Sequence, residues 1–358
     1  MFNLPIRDGW VDYKITVQFN KYAPGDRFLV ILPAGNMKYR FRQLFVVDTA
    51  GNSRTQLTSA EAEVTGVAEW AADDTVHYLA TLPGQPGTRH LHTLRIGRPG
   101  ATCLTCDTRC GYVEAQFSTA GSYYALDCKG PGIPFSSIVR TADNTALAQW
   151  TDNARLQATV AAAQMPRVQY LEVPVAGSSQ KAQVELYTPA SLAPGDKVPL
   201  LVEVYGGPGF QKVDKQWKGY DYAVYAAAGL GVAYAVIDPR GSGFQGDAWR
   251  HSVYRRFGSV EVEDTISVTR QLQQNLGFVD AARTAIWGWS YGGYLSLSVL
   301  TRDTEAVFAC GASVAPVVRW ELYDTCNKYF LTENICAPNH KPNSSVHGAV
   351  HGAAGGQP

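Results

Sequence analysis

The sequence has no excess of charge of either sign. Lysine and arginine total 31 against 31 acidic residues, so no bulk field favours nucleic acid or an anionic membrane. Long apolar runs are missing as well. None approaches the ~20 residues that a membrane-spanning helix requires. The opening residues Met1–Asp8 lack an apolar stretch followed by a small-residue cleavage site, so they do not read as a signal peptide. Metal and cofactor motifs are also thin. Cys103-Leu-Thr-Cys106 offers half of a zinc site, but no second CxxC or HxxxH pair follows at a suitable spacing. The glycine-rich stretch Asp238-Pro-Arg-Gly-Ser-Gly243 lacks the Gly-Lys-Ser/Thr ending of a phosphate loop. No metal and no cofactor is expected.

Cysteine is present in a telling way. Of seven cysteines, Cys103, Cys106, Cys110 and Cys128 cluster in a Gly- and Tyr-rich, β-like region. A redox CxxC opens a helix in a βαβ unit, whereas the surroundings here read as strands. Structural disulfides are therefore expected, and with them an oxidising compartment. An oxidised protein without a targeting segment is a contradiction, and the simplest resolution is that Met1 is not the natural beginning.

A chain of 358 residues suggests two domains, and the texture divides accordingly. Residues 1–165 alternate apolar with polar positions in runs such as Lys14–Phe19, Arg27–Leu32, Arg42–Asp48 and Thr75–Thr81. Gly, Pro, Asn and Asp punctuate them. The beat of hairpins and Trp/Asp-containing strands is that of propeller blades, with a β-sandwich as the alternative. From residue 166 to about 324, strands alternate with helices. Val198–Tyr205 is near-continuously apolar, as a buried parallel strand should be. Tyr220–Ala228 and Val260–Leu276 read as helices, and Val232–Ile237, Thr284–Gly288 and Cys310–Ala315 as strands. This alternation predicts a doubly wound sheet. Residues 325–358 have no periodicity and read as a disordered tail.

The chemistry centres on Gly288-Trp-Ser290-Tyr-Gly292, which follows a strand and opens a helix. That context makes Ser290 a nucleophile on a tight turn, with flanking glycines where backbones approach too closely for a Cβ. An oxyanion hole takes one N–H from the residue after the nucleophile, here Tyr291. A second donor comes from the loop after an earlier strand, where Tyr205 of Tyr205-Gly-Gly-Pro-Gly209 offers its hydroxyl. The Asp238–Gly243 loop reads as a shaped loop at the rim. Glu261, Glu263 and Asp264 open a helix, where acidic residues suit the dipole.

Together these residues resemble the dipeptidyl-peptidase IV branch of the prolyl oligopeptidase serine peptidase family. The carrying stretches are "LLVEVYGGPGFQKVD", "DPRGSGFQGD", "RRFGSVEVEDTISVTRQL", "LGFVDAARTAIWGWSYGGY" and "VFACGASVAPVVRWELYD", with "CLTC", "DCKGPGIP" and "QMP" upstream. The resemblance implies an α/β-hydrolase domain, its last strands missing here, preceded by the C-terminal blades of a β-propeller. It implies disulfides Cys103–Cys106 and Cys110–Cys128. It also implies a serine exopeptidase that releases N-terminal dipeptides with Pro or Ala second, through an acyl-enzyme at Ser290. Tyr205 and the Tyr291 N–H would form the oxyanion hole, and Val317, Trp320 and Tyr323 the wall of the proline pocket. Extracellular or secreted location, glycosylation, membrane association and homodimerisation are family habits that come with it.

The departures from the family shape the expectation for this chain. After Ser290 the candidates for the family's Asp and His are Asp303, Asp324, His340, His347 and His351, and none sits where the family places them. Asn327 stands where a second pocket tyrosine is expected, and Cys310 lacks its partner unless Cys326 or Cys336 substitutes. The glutamates and arginine that anchor the substrate's amino terminus belong to blades preceding Gly9. The expectation is a fragment truncated at both ends, retaining the nucleophile but not a working triad. A non-catalytic, dipeptidyl-peptidase-like binding protein is the alternative reading.

Overall fold

The computed structural model describes residues 9, 10, 17–35 and 40–323. Asp324, Cys326, Asn327, Cys336, the three late histidines and the 325–358 segment lie outside the described residues.

The first half is built from four-stranded antiparallel units. Strands β1 (Val17–Phe19), β2 (Arg27–Ala34), β3 (Phe41–Asp48) and β4 (Ser53–Gln56) pair in chain order. Strands β5 (Val64–Trp70), β6 (Thr75–Leu82), β7 (Gln85–Arg95) and β8 (Ala101–Cys103) form a second such unit. A third contains β9 (Tyr112–Phe117), β10 (Tyr123–Gly130), β11 (Phe135–Arg140) and β12 (Thr145–Thr151). The second and third units touch through one parallel rung, Arg89 opposite Tyr112. Consecutive four-stranded sheets in a row are the blades of a propeller. Asp74 ties the first two units together: it accepts from the Trp70 indole N–H at 3.2 Å, and Arg27 of β2 forks onto the same carboxylate at 3.0 and 3.1 Å. Beside the third unit stand two disulfides, Cys103–Cys106 and Cys110–Cys128, each with Cα atoms 5.7 Å apart. Among the described residues Cys310 is a free, exposed thiol.

One helix interrupts the expected all-β texture. Ala154–Ala162, α1, follows β12 within the span read as strands and turns. None of its residues is buried, so no apolar stripe marked it; its alanines and long unbranched side chains favour the helix locally.

The second half is one six-stranded sheet in the order β13-β14-β16-β15-β17-β18. Strands β13 (Arg167–Pro174) and β14 (Lys181–Thr188) are antiparallel, as is β14 with β16 (Ala233–Asp238). From β16 the sheet is parallel through β15 (Val198–Val204), β17 (Val279–Trp289) and β18 (Cys310–Val314). Every residue of β16 is buried, as expected of a strand with cover on both faces. On one face α4 (Val260–Asn275) and α5 (Tyr291–Arg302) bring Val262, Val268, Leu272, Leu295 and Val299 onto Val202, Ile237 and Ile286. On the other, Ala223, Val224 and Ala226 cover Tyr187, Tyr234 and Val236. The stretch expected as a helix at Tyr220–Ala228 is wound as a short α2 (Tyr222–Val224) followed by a π turn (Tyr225–Gly229). A small helix, α3 (Asp247–Arg250), leads toward α4.

The halves meet along the turn that opens β7 and the end of β10. Lys215 N–H donates to Gly87 O, and Trp217 N–H to Lys129 O, both at 2.8 Å. Asp247 N–H reaches Arg40 O at 2.8 Å, and the buried Glu63 carboxylate accepts from Gly246 N–H at 3.0 Å. These backbone bonds fix how the first half covers the second.

Candidate active site

Strand β17 ends at Trp289 and α5 begins at Tyr291, so Ser290 is the single residue between them. Its φ of 58° and ψ of −115° lie in a region that a side-chain-bearing residue occupies only when its surroundings hold it there. Two features hold it. Ser290 N–H donates to Val314 O at 2.9 Å, which fastens the turn to the end of β18. Glycine on either side lets three backbones close: a Cβ on Gly292 would lie 2.2 Å from Val204 O, and one on Gly288 2.4 Å from Gly292 O.

Tyr205 is the first residue beyond β15, where the parallel neighbours β15 and β17 deliver it beside Ser290's turn. Its ring centroid is 4.6 Å from Phe210 and 6.2 Å from Tyr291. Burial lifts its phenol pKa, and nearby Tyr323 adds to the lift, so at neutral pH the hydroxyl keeps its proton and can donate it. Tyr291 starts α5, and its backbone N–H is one of the helix's unpaired first-turn donors. Its side chain is buried and turned away, with the hydroxyl 3.0 Å from Glu261 Oε1.

Beyond β18 the chain places Val317, Trp320 and Tyr323. The Trp320 ring stands 5.8 Å from Tyr291, 5.2 Å from Tyr294, 5.6 Å from Phe257 and 5.8 Å from Tyr323, an aromatic cluster with tilted and edge contacts. Ser290, Tyr205, Tyr291, Val317, Trp320 and Tyr323 line one cavity of about 380 Å³. Such a cavity offers a hydroxyl nucleophile, two hydrogen-bond donors and flat apolar walls.

A base is a different matter. Among the described residues no side chain hydrogen-bonds Ser290 Oγ. Asp303 caps the far end of α5, where it accepts from Phe308 N–H at 2.8 Å; a helix of 12 residues puts about 18 Å between its ends. His77, His90 and His92 belong to β6 and β7, and the His251 ring packs 4.3 Å from that of Trp10.

The sequence profile of the prolyl oligopeptidase family matches residues 218–350, and that of the dipeptidyl peptidase IV (DPP IV) N-terminal region matches residues 5–135. The chain belongs to the prolyl oligopeptidase family, in its dipeptidyl-peptidase IV branch. Venom dipeptidyl peptidase 4 of Apis mellifera is 40% identical over 257 residues, which are 70% of this chain and 33% of that protein. Dipeptidyl peptidase 4 of Sus scrofa is 35% identical over 322 residues, 88% of this chain and 41% of the relative. The crystal structure of Porphyromonas gingivalis dipeptidyl peptidase 4 superposes with a TM-score of 0.78 at 28% identity, covering 88% of this chain and 43% of that one. The chain thus spans well under half the length of these relatives.

Several residues of the cavity carry no local sequence signal. Arg42 of β3, Arg250 of α3 and Trp10 also line the cavity, and no local pattern announces them, because only the docking of the two halves brings them there. Glu261 does more than its place in the sequence suggests. Its acidic position at a helix start suggested a dipole partner alone, yet it is fully buried and accepts from Gly258 N–H, Ser259 N–H and the Tyr291 hydroxyl.

The loop after Tyr205 is gripped from two sides. From within the second half, Gly209 N–H donates to Gly241 O at 2.8 Å, and Gly243 N–H to Phe210 O at 3.0 Å. Asp238 accepts Lys212 N–H at 3.0 Å and Val213 N–H at 2.8 Å. From the first half, Arg89 donates to Gln211 Oε1 and Gln211 Nε2 to Pro86 O, both at 2.9 Å, while the Arg89 guanidinium lies 3.9 Å from the Phe244 ring centroid.

Burial pushes the Asp238 carboxyl up from 3.8 to about 6, against the two backbone donors that favour its charge. Its folded pKa is therefore the higher one, and below the unfolded value the group costs nothing. Stability is expected to fall as pH rises from about 4 to about 6, by up to ~3 kcal/mol from this group. Urea denaturation across that window checks it. Asp238→Asn should have a flatter profile than the wild type, and parallel profiles would contradict the assignment.

Proposed function

We propose that this chain carries the nucleophile, the oxyanion donors and the proline pocket of a serine exopeptidase of the dipeptidyl-peptidase IV type. The observation that carries the reading is the single cavity joining Ser290 to Tyr205 and to the Val317–Trp320–Tyr323 wall. In the reaction, Ser290 Oγ would attack the carbonyl after the second residue and form an acyl-enzyme. The developing oxyanion would take hydrogen bonds from the Tyr205 hydroxyl and the Tyr291 N–H. Proline or alanine second suits a flat aromatic wall that buries a ring and asks for no N–H donor. The disulfides fit an oxidising, extracellular setting. Among the described residues no helix is long and apolar enough to cross a membrane.

We further propose that this chain binds such peptides without turning them over, since Ser290 Oγ has no base among the described residues. Binding without cleavage would be the behaviour of a non-catalytic regulatory protein, the alternative reading. Purified 1–358 and its Ser290→Ala variant should release the chromophore from a Gly-Pro amide equally slowly. Serine-dependent release at the rate of a full-length relative would overturn the claim of inactivity. Calorimetric titration with Ala-Pro should show binding that Val317→Trp, which fills the pocket, removes. Equal binding of Ala-Pro and Ala-Arg would sink the pocket assignment.

A further inference from the structure

The half zinc site read at Cys103-Leu-Thr-Cys106 gains a third ligand from a strand that precedes it. Strands β7 and β8 are antiparallel, with His92 opposite Cys103, and Leu104 N–H donates back to Leu91 O at 2.8 Å. The CxxC turn therefore folds over β7, two strand positions from where His92 pairs, at His90. A ring nitrogen of His90 and the two sulfurs lie within 4.8 Å of one another. His90 is only 3% exposed, and its Nδ1 is 3.2 Å from both the carbonyl and the hydroxyl of Thr105, the residue between the cysteines. The ring is thus fixed against the turn before any ligand arrives, as a metal-binding histidine should be.

We propose that Cys103, Cys106 and His90 form a redox-gated site for a zinc-class cation, closed while the disulfide stands and opened by a thiol reductant. The balance is simple. A dithiol reductant transfers two electrons to the disulfide, giving two cysteine thiols and the cyclised, oxidised reductant. The divalent cation then displaces one proton from each thiol to solvent and takes the lone pair of the neutral imidazole. Two thiolates and one imidazole leave the site electrically neutral, with a fourth position for water. Tetrahedral zinc holds S and N donors at ~2.3 and ~2.0 Å, so ligands already gathered within 4.8 Å close on it with small movements of the turn. Cys103 and Cys106 are also partly accessible, whereas Cys110 and Cys128 are 3% and 4% exposed. A soluble reductant therefore reaches the ligating pair first. The site is separate from the Ser290 cavity, whose lining contains none of these residues.

The test uses the full chain under mild reduction, with and without zinc, followed by iodoacetamide and peptide mapping. Zinc should protect Cys103 and Cys106 together from alkylation, and the oxidised protein should bind no zinc through them. In His90→Gln, the zinc concentration needed for protection should rise on the order of tenfold or more. Cobalt on the reduced wild type should show a thiolate charge-transfer band that the same variant weakens. The wild-type arm needs no variant to fold: if zinc leaves Cys103 and Cys106 as reactive as before, the site does not exist. Protection undiminished in a folded His90→Gln protein would equally overturn the three-ligand assignment.

Discussion

The Gly292→Ala variant is expected to lose the cooperative fold of the second half at urea concentrations where the wild type is intact. The added Cβ would stand 2.2 Å from the Val204 carbonyl oxygen and 3.1 Å from the Tyr205 Cα. Both are backbone atoms, the first in a central strand paired on both sides and the second directly after it, so no rotamer change makes room. Overpacking that side chains can absorb costs about 1–3 kcal/mol; here the cost should be ~3 kcal/mol or more, a large share of a typical domain's stability. The matched control is Gly132→Ala, where a Cβ meets nothing within 4 Å, and a change within about 0.5 kcal/mol is expected. Denaturation followed by tryptophan fluorescence reads both. A wild-type midpoint for Gly292→Ala would mean that the turn around Ser290 is looser than its packing says.

Glu261→Ala is the second large effect. Removing that carboxylate strands three donors at once, the N–H groups of Gly258 and Ser259 and the Tyr291 hydroxyl. Each buried unsatisfied donor costs about 1–3 kcal/mol, so the total should be ~3 kcal/mol or more. Glu261→Gln separates hydrogen bonding from packing. The amide keeps the size but turns an NH₂ toward a group that needs an acceptor, so its loss should approach that of alanine. Recovery of most of the wild-type stability by Gln would show that shape, not acceptance, is what the position requires. The Tyr291 ring should also loosen, which near-ultraviolet circular dichroism would register.

What the sequence disclosed and what it hid follow from range. The turn at Ser290 was legible because its causes are local: an apolar strand, close-packed glycines and the start of a helix within ten residues. Tyr205 was legible for the same reason, as the end of a continuous apolar strand. Helix α1 was not, since a helix with no buried residue in a β-rich stretch leaves too weak a periodic signal. Arg42 and Arg250 are about two hundred positions apart, and no spacing rule joins them. His90 was missed in a more instructive way. Zinc-motif spacing runs forward from Cys103 and Cys106, whereas antiparallel pairing brings His90 to them from an earlier strand. Glu261 was seen and given too small a task, because a dipole argument explains an acidic residue at a helix start without asking how deeply it is buried.

The loop that follows Tyr205 has a bearing on traffic into the cavity. Hydrogen bonds to Gly241 and Asp238 and from Gly243 hold its inner side, and Arg89, Pro86 and Gly87 hold its outer side. A segment anchored on both flanks is a masonry wall, not a door. The shape of the cavity beside Ser290 is therefore set by fixed backbone on this side and not by a swinging part.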